Sequence, residues 1–207
     1  MAWRLKVIFL AGFLLALPLA WNALGYLNLN PRFGFLLLKQ SAVETGWYLP
    51  AFYSHVIVSA FVLVIGFFQV YQPWRLRFPN FHRVFGKIYV AGILIFAAPG
   101  GMVMSFFIQR GPWVLMSFVL QSLLWFFTTL RAYESIRKGE VVLHQQWMVR
   151  SFALTLAAIT LRLYAFLTSW TFDLTHPVAY AFIAWWSWVF NLMVAEVWIR
   201  RRQPQIL

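Results

Sequence analysis

Long apolar runs along the chain are separated by short connections that carry nearly all of its charge. Runs close to the roughly 20 residues a helix needs to cross hydrocarbon lie at about 7–26, 52–71, 84–108, 113–133, 147–167 and 178–199. This pattern predicts an all-α polytopic membrane protein of six transmembrane helices, built as one integral domain over residues 1–207. Spans two to five are expected to form a four-helix core, with the first and sixth helices outside it. The connection at 27–50 is longer and mostly neutral, and its apolar stretch 33–38 reads as an interfacial segment.

Projected on a helix at about 100° per residue, the few polar residues of each span share a face. Span two aligns His55, Ser59, Gly66 and Gln69; span three aligns His82, Gly86, Tyr89, Ala97 and Gly100; span four aligns Ser117, Gln121 and Thr128. Span five aligns His144, Met148, Ser151, Thr155, Ala158 and Arg162, and span six adds Ser187 and Asn191. Two readings compete. Small and hydroxyl residues let membrane helices approach and hydrogen-bond; alternatively Arg162, Gln69, Gln121, Tyr89 and Asn191 line a polar cavity. Arg162, as a charge deep in a span, calls for a partner, with Asp173, His55 and His176 as candidates, while Glu196 is placed to pair with Arg150. Pro99, Gly100 and Gly101 should kink span three, as a hinge or as a packing device.

Composition strengthens the membrane reading. Of the residues, 62% are hydrophobic and 11% charged, more apolar surface than a soluble core of this size could bury. Cysteine is absent, which excludes disulfides, thiolate metal sites and cysteine nucleophiles. The net charge of +12 is carried at the flanks of apolar runs, where it sets topology and meets anionic lipid headgroups rather than nucleic acid. One set of connections holds thirteen cations, Arg4, Lys6, Arg75, Arg77, Arg83, Lys87, Arg131, Arg137, Lys138, Arg150, Arg200, Arg201 and Arg202; the other holds three, Arg32, Lys39 and Arg110. The imbalance puts both termini on the cytoplasmic side. The first run, though preceded by Arg4 and Lys6, lacks a small-residue cleavage site and reads as a retained helix.

With alternating spans, His82 and His144 fall at cytoplasmic ends of spans three and five, and His55 and His176 at external ends. Imidazoles on neighbouring helices can supply the axial ligands of a haem b. His82 with His144 is the first candidate pair and His55 with His176 the second, with Arg83 and Arg150 among the cations that could meet propionates. Asn80 reads as a helix cap that keeps His82 in the first turn. The competing readings are a hydrogen-bonded interfacial role for each ring, or a non-haem metal held by His82, His144 and Glu140.

Two stretches, QVYQPWRLRFPNFHRVFGKIY from Gln69 to Tyr89 and HQQWMVRSFALTLAAITLRLY from His144 to Tyr164, resemble the bacterial predicted-membrane-protein family catalogued as domain of unknown function 2306. The resemblance covers most of Phe52–Ile199 and implies a multispan bacterial membrane protein, with no particular activity; the inner membrane is the expected location. More weakly, the chain is similar to the six-span, ascorbate-reducible transmembrane cytochromes b, whose four core helices bind two haems through histidine pairs. Span four here has no histidine, so only His82 and His144 follow that family's pattern.

Three functional classes follow: a haem b or quinone-linked electron-transfer protein; a non-redox carrier or sensor built around Arg162; and a structural or assembly subunit of a membrane complex. A phosphate-binding glycine loop, a nucleophile elbow and an HExxH metalloprotease motif are all missing from the chain. Enzyme activity independent of a cofactor is therefore not expected.

Overall fold

A computed structural model describes residues 3–170 and 176–202 of the chain. Six helices in it are long and apolar enough to cross a bilayer: Phe9–Asn28, Tyr48–Val70, Pro79–Ser105, Pro112–Arg137, Val141–Thr168 and Val178–Arg202. They are spans one to six. Helical segments begin on Pro79, Pro112 and Pro177, where a fixed φ suits the first turn and the missing N–H costs nothing. Asn80 is therefore inside the helix that it was expected to cap. Spans three and five start before their apolar runs because hydropathy drops at Arg83 and His144 while backbone hydrogen bonding does not.

The chain separates into two compact units, Met1–Phe107 and Ile108–Leu207, each with its own three spans. Helices joined by short connections find their nearest partners in sequence, and glycines and polar pairs within each unit reinforce those contacts.

In the first unit, span two is the middle helix, packed against span one and span three. The Phe9 and Phe13 rings meet Phe67 edge-on, with centroids 5.4 and 5.6 Å away. Span three lies closest to span two at its glycines. A Cβ on Gly100 would stand 2.6 Å from Ser54 Oγ and 2.7 Å from Ala51 O, whereas one on Gly86 would meet only the end of the Gln69 side chain, at 3.3 Å. Between them the helix widens into a π segment, Gly92–Ala97. Ala98 N–H reaches back to Ile93 O, and Pro99, next in line, has no N–H to give. The wide turn is thus the local answer to a proline inside a helix.

The connection after span one is folded onto the unit. Leu36, in the short 3-10 helix Gly34–Lys39, is fully buried with Tyr26, Tyr48 and Phe52, while Leu37 and Leu38 are exposed. Lys39 Nζ donates to Phe107 O, 3.1 Å away, at the end of span three. The stretch expected as an interfacial segment therefore keeps an exposed apolar edge and also forms part of the core. The basic connection between spans two and three is itself helical at Gln72–Arg77, which its hydropathy does not reveal.

In the second unit, spans four, five and six each pack against the other two. Span five is interrupted at Leu156, between helices Val141–Thr155 and Ala157–Thr168. Its first half packs on spans four and six; its second half packs on span six and, among the described residues, makes no contact with span four.

The Gly100 geometry gives a direct test. Gly100→Ala should destabilise the protein by about 1–3 kcal/mol, the usual cost of overpacking against backbone, and Gly86→Ala by distinctly less. Thermal unfolding of both variants in detergent would show the order, and equal stability of the two would contradict the close approach.

Candidate functional site

The second unit contains a hydrogen-bonded seam drawn from the polar stripes. Ser151 Oγ lies 2.7 Å from Thr129 Oγ1, Trp125 Nε1 donates to Thr155 Oγ1 at 3.0 Å, and Trp188 Nε1 donates to Ser117 Oγ at 3.0 Å. Asn191 Nδ2 donates to Ala153 O and to Thr160 Oγ1, both at 3.1 Å, and Thr160 Oγ1 donates to Ser187 O at 2.6 Å. Ser117, Trp125, Thr129, Ser151, Thr155, Ser187 and Trp188 are all buried. In hydrocarbon such bonds replace lost water contacts and fix which helix faces meet. Trp125, Trp188 and Thr160 are members of this seam that sequence reasoning missed. Trp125 lies four residues beyond Gln121 on the stripe of span four, a spacing obscured by the habit of reading tryptophan as an interface residue.

The histidines sit in two kinds of surroundings. In the first unit His55 Nδ1 is 2.6 Å from Ala97 O, at the end of the π segment. In the second, His144 Nδ1 is 2.8 Å from Ala132 O on span four. A carbonyl only accepts, so each Nδ1 donates a proton in this arrangement. His82 is half-buried early in the helix Pro79–Ala91. His176 is exposed just before span six, and its carbonyl accepts from Tyr180 N–H at 3.2 Å. Each candidate ligand pair thus takes one histidine from each unit. Among the described residues no three histidine, aspartate or glutamate side chains gather as a metal site, so the grouping of His82, His144 and Glu140 is not carried further.

Arg150 is committed inside its own unit. Its Nε and Nη2 donate to the two Glu196 oxygens, at 2.5 and 3.0 Å. The expected pairing is present, in the bidentate form that favours arginine. The guanidinium also lies 4.6 Å from the centre of the Trp147 ring, a cation–π distance. Arg83 is exposed.

Arg162 takes a different place from the one its spacing suggests. It is exposed, and Nη1 donates to Ala158 O one turn back, at 3.1 Å. At the interruption Ile159 N–H donates to Leu156 O, a three-residue step of 2.9 Å. Such steps turn the chain by about 120° per residue rather than 100°. The inward face therefore moves to Ala157 and Ile159, which are buried, and the stripe of His144, Ser151 and Thr155 does not continue to Arg162. Asp173, a candidate partner, lies outside the described residues. Of the other residues expected around a polar cavity, Gln69 and Tyr89 are buried in the first unit, and Gln121 and Asn191 are half-buried in the second.

Six apolar helices, with polar residues of the second unit bonded to one another between spans, define a polytopic helical membrane protein. The chain belongs to the family described as Predicted membrane protein (DUF2306), whose model matches residues 52–199, from span two to the end of span six. No curated protein and no solved structure matches it, and the likeness to the transmembrane cytochromes b gains no support.

The Arg150–Glu196 pair should behave as a unit. Because Glu196 is partly exposed, a double-mutant cycle with Arg150→Ala and Glu196→Ala is expected to give a coupling of about 1 kcal/mol. Unfolding free energies that simply add would mean that the two side chains do not meet.

Proposed function

We propose that this chain is a bacterial inner-membrane protein with both termini in the cytoplasm, and that it binds a haem b, with His144 as an axial ligand, for electron transfer. The observation that carries this reading is the bond from His144 Nδ1–H to Ala132 O. Metal-binding histidines characteristically donate the other ring N–H to a carbonyl or carboxylate, which fixes the tautomer and makes the ligating nitrogen more basic. His55 shows the same arrangement at Ala97 O. His82, at the same end of its span, is the candidate for the second ligand; His55 and His176, at the external ends, remain the second candidate pair. The thirteen-to-three division of cations between the two sets of connections supports the orientation.

A second reading is favoured by the seam. Ser117 with Trp188, Trp125 with Thr155, Thr129 with Ser151 and Thr160 with Asn191 hold spans four to six together, which is what a structural or assembly subunit needs.

An oxidised-minus-reduced absorption spectrum of the full chain, expressed with ample haem and purified in detergent, separates the two. The haem reading predicts a b-type band that disappears in His144→Ala and in one further histidine variant. A folded, colourless protein would refute it and leave the assembly reading. A cysteine placed at Lys138, in a chain that has none, should react with an impermeant thiol reagent only in inverted membranes; reaction in intact cells would reverse the orientation.

A further inference from the structure

Charge is balanced very differently in the two units. The second has four acidic residues, and two of its arginines are paired, Arg150 with Glu196 and Arg131 with Glu134. The first has eight cations and a single acidic residue, Glu44. Glu44 precedes span two, whereas Arg75 and Arg77 follow it and Arg83 and Lys87 lie in the first third of span three, so roughly 20–35 Å separates them at 1.5 Å per residue. That is several Debye lengths at physiological salt. Arg83 and Lys87 are moreover one helical turn apart and both exposed, a spacing at which like charges repel.

The same segment carries an aromatic platform. Trp74 packs against Phe78 at 4.7 Å and Phe81 at 6.1 Å between ring centroids, Arg77 lies 5.6 Å from the centre of the Phe78 ring, and Leu76, Phe78 and Phe81 are exposed. A helix end that offers apolar rings beside cations matches the boundary between acyl chains and headgroups. Four cations whose own unit offers no nearby carboxylate take counter-charge from outside it, and anionic headgroups supply it at that depth.

We infer that the Gln72–Lys87 segment is a binding surface for anionic phospholipid, with Arg75, Arg77, Arg83 and Lys87 holding headgroup phosphates and Trp74 and Phe81 seated among the acyl chains. The inference rests on the membrane reading and is independent of haem, so a colourless protein leaves it intact.

Thermal unfolding of the detergent-purified full chain tests it, with phosphatidylglycerol, phosphatidylcholine or inorganic phosphate added at equal concentration. Phosphatidylglycerol should raise the unfolding temperature well above the other two, and about 1 M salt, where the Debye length is about 3 Å, should abolish most of the gain. The variant Arg75→Gln/Arg77→Gln/Arg83→Gln/Lys87→Gln should lose at least half of the gain, and Arg137→Gln/Lys138→Gln should keep most of it. The salt experiment on the unaltered chain stands even where the fourfold variant does not fold. An equal effect of phosphatidylcholine, a salt-insensitive gain, or a full gain in the fourfold variant would overturn the inference; an equal effect of inorganic phosphate would reduce the surface to a site for any phosphate anion.

Discussion

A polar group inside an apolar helical bundle must find its partner within the chain, because neither lipid nor a packed interior offers water. Spans four to six meet that requirement through Ser151 with Thr129, Trp125 with Thr155, Trp188 with Ser117 and Asn191 with two partners. Each bond links residues on different helices, so satisfying polarity and choosing the packing faces are one event. Arg150 follows the same logic through both carboxylate oxygens of Glu196. Individually such bonds in membranes contribute only about 0.6 kcal/mol on average. Their greater effect is on specificity, since apolar faces alone would pack in several rotations.

The first unit is ordered by close approach as well as by polarity. Gly100 lets span three come against the backbone of span two, and the π segment before Pro99 sets the carbonyl that His55 reaches. One irregularity of sequence, a proline in mid-span, thereby connects helix path, packing and the orientation of an imidazole. In the second unit the tight step at Leu156 has the opposite sense: it turns the inward face and carries Arg162 to an exposed position.

The six spans were legible because their length and hydropathy come from the thickness of hydrocarbon, a constraint written into every residue of the runs. The Arg150–Glu196 pair was legible from depth, and the shared face of Ser151 and Thr155 from helical period. Arg162 was not, because a regular 3.6-residue period cannot register a single tight step at Leu156. Trp125 and Trp188 were hidden by their amphipathic character: the same indole serves at a membrane interface or as a buried donor. The short helix Gln72–Arg77 has too few apolar residues for a periodic signal, and the division into three-helix units depends on side-chain fit that composition does not report. The histidines could be assigned to spans, but their carbonyl partners, Ala97 and Ala132, have no sequence signature at all.

The central claim is that carbonyls of neighbouring helices fix the rings of His144 and His55, so that the bonds that satisfy the bundle also prepare a ligand nitrogen. Nitrogen-15 NMR of protein labelled only at histidine reads the tautomer of each ring directly, with His144→Gln and His55→Gln assigning the signals. Without added haem, both rings should show a protonated Nδ1. A His144 ring found with its proton on Nε2 alone would contradict the bond to Ala132, and with it the geometric basis of the functional proposal.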